Sequence, residues 1–259
     1  MSPNPFDLSG QVAVVTGGGT GIGRTTARVL AEHGADIVVA SRSVENLERA
    51  ARDVKDAGRN ALVRKTDVRR PEDCVGLIHD TVAEFGQIDI LINNAGGSKA
   101  FPMDRWNLEE FEKSIALNLR SVFLLSQEAV HHMVERESGS IVNISSIASR
   151  QAMPKLAPYG SAKAGVNNLT RAMAAEYGRW GVRVNCVAAG FVKSEGFVRA
   201  MKAMGLDPDE VASRSNAVGR AGDPEEIAYP ILFLVSRAAS FLSGETIYVD
   251  GGPPIAGPW

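Results

Sequence analysis

Blocks of hydrophobic and polar residues alternate along the chain in a way that predicts alternating strands and helices. Short apolar runs rich in β-branched residues recur at 12–15, 37–40, 61–65, 88–92, 141–144, 182–187 and 246–249. Continuous hydrophobicity is typical of strands covered on both faces. The longer segments between them have helical periodicity, and several begin at a capping residue, namely Ser43, Asn107, Asp207 and Asp223. This β-α repetition predicts one domain over residues 1–259, with a parallel sheet between two helical layers.

Composition narrows the range of partners and locations. The 259 residues are 44% hydrophobic and 22% charged, which is the balance of an ordinary globular protein. A net charge of −2 gives no reason to expect nucleic acid or a membrane surface as a partner. The N-terminus does not resemble a signal peptide, and Cys74 and Cys186 lie in apolar patterns typical of buried reduced thiols. We therefore predict a cytoplasmic location. The histidines and cysteines do not have the spacing of metal ligands, so we expect no catalytic metal bound by the protein.

A glycine-rich turn follows the first predicted strand. The sequence TGGGTGIG at 16–23 leads directly into a helical pattern. Glycines in this position permit a tight turn and let the backbone approach a phosphate group, which the N–H groups of the helix N-terminus can bind. Gly17, Gly21 and Gly23 hold the key positions of a dinucleotide-binding turn. An S-adenosylmethionine site can share such a turn, so a methyltransferase stays open at this point.

The end of the second predicted strand bears on the choice of dinucleotide. Proteins that bind a free ribose diol usually have Asp or Glu there, whereas this chain has Ala40, Ser41 and Arg42. A hydroxyl group beside a guanidinium suits a 2′-phosphate, because the guanidinium forms charge-assisted hydrogen bonds with it. The sequence therefore favours NADP(H), with NAD(H) as the second choice and a methyl donor as the third.

Four polar residues further along the chain suggest carbonyl chemistry. Tyr159 and Lys163 are four residues apart and share a face of a predicted helix, and Ser146 follows the predicted strand at 141–144. Tyr159 can donate its phenolic proton to a carbonyl or accept one from an alcohol, and a nearby Lys ammonium together with an oxidised nicotinamide would lower its pKa. Ser146 can hydrogen-bond the substrate oxygen. Asn118, near the start of a helical stretch, can hold a water molecule in a relay with Lys163.

Together these motifs resemble a classical short-chain dehydrogenase/reductase over nearly the whole chain. The supporting segments are TGGGTGIG (16–23), NNAG (93–96), Asn118, Ser146, YGSAK (159–163), RVN (183–185), Gly190 and DGG (250–252). The resemblance implies a doubly wound Rossmann fold with seven parallel strands in the order 3-2-1-4-5-6-7. It implies that Asn118, Ser146, Tyr159 and Lys163 are catalytic. The glycine turn and the end of the second predicted strand give the cofactor-binding residues Gly17, Gly19, Thr20, Gly21, Ile22, Gly23, Ser41 and Arg42. The resemblance adds cofactor contacts from Asp67 and Val68 near the adenine, and from Asn94, Ala95, Gly96, Ile144, Tyr159, Lys163, Gly190, Val192 and Ser194.

The resemblance has two visible departures and carries further expectations. Ala189 replaces a proline common in the family, and Ser194 replaces a threonine while keeping the hydroxyl group. Residues 191–220 correspond to the family's substrate lid. Their apolar residues fit either a lid over a hydrophobic or acyl substrate or the anchoring of two short helices to the core. A homo-oligomer, tetramer or dimer, is implied as well. The tail at 251–259 ends in an apolar Trp259 and is predicted to dock on the protein or a partner subunit.

The leading functional hypothesis is an NADP(H)-dependent oxidoreductase that interconverts a ketone or aldehyde with an alcohol. Candidate substrates are 3-oxoacyl thioesters or another hydrophobic carbonyl compound. The alternatives are an enoyl-thioester C=C reductase, a catalytically silent dinucleotide-binding protein and a methyltransferase. The intact set of Asn118, Ser146, Tyr159 and Lys163 argues against the silent protein, and the Ser41-Arg42 strand end with the Tyr159/Lys163 pair argues against the methyltransferase.

Overall fold

The computed structural model describes residues 4–253, in which seven parallel strands form one sheet. The strands are β1 (Val12–Thr16), β2 (Asp36–Ser41), β3 (Ala61–Lys65), β4 (Ile90–Asn93), β5 (Gly139–Ser146), β6 (Val182–Ala189) and β7 (Thr246–Val249). Their spatial order is β3-β2-β1-β4-β5-β6-β7, which confirms the predicted order. The β3 and β7 bounds equal the predicted runs, whereas β5 and β6 each extend two residues beyond them at the carboxyl end.

Helices connect the strands, and the predicted capping residues begin four of them. The helices are α1 (Gly21–Glu32), α2 (Val44–Asp56), α3 (Pro71–Phe85), α4 (Leu108–Ile115), α5 (Ser121–Glu135), α6 (Ala157–Tyr177), α7 (Glu195–Ala203), α8 (Pro208–Ser213) and α9 (Pro224–Val235). The side chains of Ser43, Asn107 and Asp207 accept hydrogen bonds from N–H groups of the first turns of α2, α4 and α8. At α9, Asp223 forms a capping box, and its N–H donates to the Glu226 carboxylate at 2.8 Å.

The two faces of the sheet bury separate hydrophobic clusters because successive side chains of a strand point to opposite faces. On β1, Ala13 and Val15 join a cluster that includes residues of α1, α2 and α9. Val12 and Val14 join a second cluster with residues of α3, α5 and α6. The sheet is therefore covered on both sides, as its continuous apolar runs predict.

Three further expectations concern the two cysteines, membrane spans and the C-terminal tail. Cys74 and Cys186 are buried free thiols, as predicted, and burial raises the pKa of each to about 11. Among the described residues, no helix is long and apolar enough to cross a membrane. The docking prediction for the tail falls mostly on residues 254–259, which lie outside the described residues.

Candidate active site

The glycine-rich turn lies between β1 and α1 and brings the backbone to the mouth of a cleft. Gly17 and Gly21 have φ angles of +64° and +50°, which favour glycine. A Cβ atom on Gly23 would lie 2.3 Å from the carbonyl oxygen of Gly17. Thr20 precedes α1 and makes no side-chain capping bond there, so the first-turn N–H groups are available to an external anion. These features fit the pyrophosphate of a dinucleotide.

A polar connection joins this turn to the end of β4. The hydroxyl oxygen of Thr16 accepts hydrogen bonds from the N–H groups of Asn94 and Ala95, each at 3.0 Å. In return, the side-chain amide of Asn94 donates to the carbonyl oxygen of Thr16 at 2.8 Å. These bonds hold the carboxyl ends of two neighbouring parallel strands in register, which is where α/β sheets bind their ligands.

The cleft at this edge of the sheet has a volume of about 490 Å³. Every residue predicted to bind the cofactor lines it, from Gly17 in the turn to Ser194 before α7, and so do Ser146 and Tyr159. Asn118 is the predicted site residue that does not line it. Sequence reasoning missed several lining residues as site residues, namely Asn46, Thr66, Gly97, Leu117 and Ser145. Proximity in the sequence could have indicated them, because each lies within four residues of a predicted site residue.

Lys163 is enclosed beneath the cleft. Only 3% of the residue is exposed, and its Nζ atom donates a hydrogen bond to the carbonyl oxygen of Ile144 at 2.7 Å. Burial lowers the pKa of the Lys163 ammonium from 10.5 to about 8. Nζ lies 5.8 Å from the centroid of the Tyr159 ring, so the two side chains share one end of the cleft.

Tyr159 is held in its protonated form at neutral pH. Burial raises the pKa of its phenol, and an interaction with the Ser146 side chain opposes that rise. The lowering of this pKa expected from the Lys163 ammonium is therefore not found in the protein alone, because burial outweighs it. The hydroxyl oxygen of Ser146 accepts a hydrogen bond from the N–H of Ala148 at 3.2 Å, which fixes its position at the end of β5. A neutral phenol beside a positioned hydroxyl group can donate a proton to a carbonyl oxygen.

Asn118 lies in a π-helical turn, Ala116–Arg120, that joins α4 to α5. Its buried side-chain amide accepts from the N–H of Gly97 at 3.0 Å and donates to the carbonyl oxygens of Gly97 and Ser114. A Cβ atom on Gly96 would lie 3.0 Å from Asn118 Oδ1 and 3.3 Å from Lys163 Nζ. Asn118 therefore lies close to Lys163, but the contacts of its amide are with the protein. The predicted water relay stays a prediction.

Ser41 and Arg42 also line the cleft, and they follow the buried part of β2, which is three strands away from β5 in the sheet. Within residues 4–253 the guanidinium of Arg42 forms no ion pair, although its charge contributes to lowering the pKa of Asp67. Asn46, in the first turn of α2, lines the cleft as well. A cation, a hydroxyl group and the start of a helix here would suit a phosphate group.

The predicted lid segment contains α7 and α8 and is partly anchored. Phe191 and Phe197 line the cleft, and their ring centroids are 5.5 Å apart. Met201 is buried, whereas Met204 and Leu206 are 59% and 45% exposed. Some apolar residues of this segment are therefore packed against the protein, whereas Met204 and Leu206 are exposed to solvent.

Comparison with known proteins identifies the family. The model of a family described as enoyl-(acyl carrier protein) reductase matches residues 17–253. The chain is 37% identical over 250 residues to gluconate 5-dehydrogenase of Gluconobacter oxydans, with 96% of this chain and 97% of that protein covered. The chain belongs to the short-chain dehydrogenase/reductase family. Its enzyme class is that of the NAD(P)-dependent oxidoreductases that act on CH–OH groups.

Two further relatives show the range of this family. Peroxisomal 2,4-dienoyl-CoA reductase of Danio rerio is 38% identical over 253 residues, which cover 96% of this chain and 83% of that protein. A structure of 7α-hydroxysteroid dehydrogenase complexed with NADH and 7-oxo glycochenodeoxycholic acid superposes with a TM-score of 0.92 at 30% identity, covering 98% of each chain. Membership of this family sets the methyltransferase hypothesis aside.

Proposed function

We propose that the protein is an NADP(H)-dependent oxidoreductase that interconverts a ketone or aldehyde with an alcohol. The observation that carries the proposal is one continuous cleft lined by Tyr159, Ser146 and Lys163 beside the end of β5 and by Arg42 after β2, which is three strands away in the sheet. A nicotinamide dinucleotide bound there supplies or accepts the hydride. The glycine turn and the start of α1 would hold its pyrophosphate, and residues 94–96 would lie beside its ribose.

The protein groups supply proton transfer and orientation. Tyr159 donates its phenolic proton to the carbonyl oxygen during reduction and recovers a proton from the alcohol during oxidation. The hydroxyl group of Ser146 hydrogen-bonds the same substrate oxygen and fixes its distance from the phenol. The Lys163 ammonium, together with an oxidised nicotinamide, would stabilise the tyrosinate that remains when the phenol has given up its proton. The side-chain amide of Asn118 holds the backbone of Gly97 in place, close to Lys163.

The preference for NADP(H) rests on Arg42 and its surroundings. Among the described residues no carboxylate is paired with this guanidinium, and Ser41, Asn46 and the start of α2 lie beside it. A 2′-phosphate would find there a cation, a hydroxyl group and backbone N–H groups. We propose NADP(H) as the preferred cofactor, with NAD(H) as a weaker substitute.

Candidate substrates are 3-oxoacyl thioesters and other hydrophobic carbonyl compounds. Phe191 and Phe197 give the substrate end of the cleft an apolar wall. A 3-oxoacyl-[acyl-carrier-protein] reductase of Rickettsia bellii is among the relatives, at 35% identity. The second candidate function is reduction of an enoyl-thioester C=C bond. It is favoured by the description of the matching family and by the 2,4-dienoyl-CoA reductase relative.

We further propose that the protein is cytoplasmic and forms a homo-oligomer, either a tetramer or a dimer.

The test is oxidation of NADPH and of NADH over a panel of 3-oxoacyl thioesters, enoyl thioesters, ketosteroids, keto sugars and simple aldehydes. We expect Tyr159→Phe to abolish turnover of the best carbonyl while retaining NADPH affinity, since only the proton donor is lost. Tyr229→Phe is the matched control, because that tyrosine is 56% exposed on α9. Turnover of the carbonyl by Tyr159→Phe at the wild-type rate would contradict the assignment. Activity confined to enoyl thioesters would select the second function.

The same assay tests the cofactor preference. Arg42→Asp removes the contacts to a 2′-phosphate and adds repulsion, so we expect the NADPH/NADH ratio of kcat/KM to fall at least tenfold. Arg52→Asp makes the same charge change at an exposed position of α2 and should leave the ratio unchanged. An unchanged ratio in Arg42→Asp would remove Arg42 from the site.

A further inference from the structure

Two segments that are distant in the sequence line the cleft, and under the proposed function the adenine of the dinucleotide lies against the one that follows β3. Thr66, Asp67 and Val68 line it from the segment that follows β3, and Leu117 lines the cleft from the π-helical turn. Leu117 also packs against the hydrophobic cluster that contains Val68. Because adenine is flat and apolar on its faces, the spacing of these two segments determines how well such a ring fits.

The segment after β3 is fixed internally by bonds to β2 and α3. The N–H of Thr66 donates to the carbonyl oxygen of Ser41 at 2.9 Å, and the N–H of Asp67 donates to the carboxylate of Asp73 at 2.8 Å. The thiol of Cys74 donates to the carbonyl oxygen of Val68 at 3.3 Å. These bonds shape the segment, but they do not connect it to the turn that carries Leu117.

Arg120 makes that connection. It is the last residue of the π-helical turn, and its Nη2 atom donates to the carbonyl oxygen of Arg69 at 2.7 Å. Arg69 in turn holds Asp67, since its Nε atom donates to the Asp67 carboxylate at 2.9 Å. This pairing neutralises the Arg69 guanidinium, which lets a second cation approach the same residue. Three residues thus link the turn to the wall of the cleft.

We propose that Arg120 is a positioning residue that holds Leu117 and Val68 at the spacing required by the adenine ring of the dinucleotide. The proposal rests on the proposed function, since it requires a dinucleotide in the cleft. Arg120 acts through backbone position and makes no contact with the cofactor. It should therefore govern affinity for the adenosine half and leave the chemistry at Tyr159 unaltered.

The test is calorimetric titration of Arg120→Met with two adenosine ligands, adenosine 2′,5′-bisphosphate and ADP-ribose, which lacks the 2′-phosphate. Loss of one charge-assisted hydrogen bond at an exposed site should raise the Kd of both ligands about three- to fivefold. The kcat at saturating NADPH should stay within twofold of the wild-type value. Arg171→Met, at an exposed arginine of α6, is the matched control and should change neither quantity.

Each other outcome overturns a defined part of the reasoning. Unchanged Kd values for both ligands would overturn the positioning role. Weaker binding of the bisphosphate alone would show that Arg120 acts on phosphate charge. A lower kcat with unchanged Kd values would show that the tether acts on Asn118 in the same turn. Failure of the wild-type protein to bind either ligand would instead overturn the proposed function, and the positioning role with it.

Discussion

The buried Lys163 ammonium should make the stability of the protein depend on pH in a defined window. Its pKa is about 8 in the folded protein and 10.5 for the unperturbed group. Between these values the unfolded chain binds more protons than the folded protein, so the free energy of unfolding rises with pH. Below about pH 8 the folded protein must bury the charge, and the group then lowers stability.

The magnitude follows from the shift in pKa. The difference between 10.5 and about 8 corresponds to about 3 kcal/mol of lost stability when the amine is charged in both states. Integration from pH 7 to pH 9.5 recovers about 2 kcal/mol of this cost. Lys163→Met replaces the amine with an apolar side chain of similar length and removes the titration. We therefore expect wild type to gain about 2 kcal/mol relative to Lys163→Met over that interval.

The assay is equilibrium unfolding in urea at the two pH values, followed by tryptophan fluorescence. Other titrating groups are common to both proteins. The Cys186 thiol interacts with Lys163, but its pKa of about 11 keeps it protonated in the folded protein up to pH 9.5. The exposed Lys202→Met is the control, and its difference from wild type should not change with pH. If wild type and Lys163→Met change in parallel between pH 7 and pH 9.5, the reasoning about burial is wrong.

Two further substitutions test the cofactor turn and the packing of the sheet. Gly23→Ala places a Cβ atom 2.3 Å from a backbone oxygen, so we expect it to weaken NADPH binding at least tenfold by titration. Gly76→Ala on α3, where a Cβ meets nothing within 4 Å, should not weaken it. Arg183→Met removes donors to the carbonyl oxygens at the end of α9, and we expect urea unfolding to show a loss of about 3 kcal/mol. Arg199→Met, at an exposed position of α7, should cost under about 0.5 kcal/mol, and equal losses in both would refute the role of Arg183.

The predictable part of the fold came from signals that are local in the chain. Continuous apolar runs located the strands, and capping residues located the starts of four helices. The carboxyl ends of β5 and β6 were missed because they consist of serine and alanine, which have no strong strand preference. Ser145 and Ser146 are extended because they pair with Ala188 and Ala189, and such pairing is absent from local patterns.

In the candidate site, too, features with a local sequence signal were predictable and features that depend on distant contacts were not. The glycine turn was predictable because its stereochemistry excludes most other residues. The π-helical turn was not, because ALNLR has an ordinary helical composition and nothing in it indicates an extra residue per turn. The bond from Arg120 to Arg69 was also beyond reach, since it joins residues 51 positions apart.

The π-helical turn also sets the phase between two helices. A turn with an i→i+5 bond holds one more residue than an α-helical turn, so the faces of α4 and α5 are offset by about 100° relative to one continuous helix. The offset lets α5 pack its apolar face on the sheet while Asn118 points towards Gly97. Removing one residue here would preserve helicity and hydrophobic content but bring the two helices into phase. Part of the site is therefore encoded by the number of residues in this connection, independently of which residues they are.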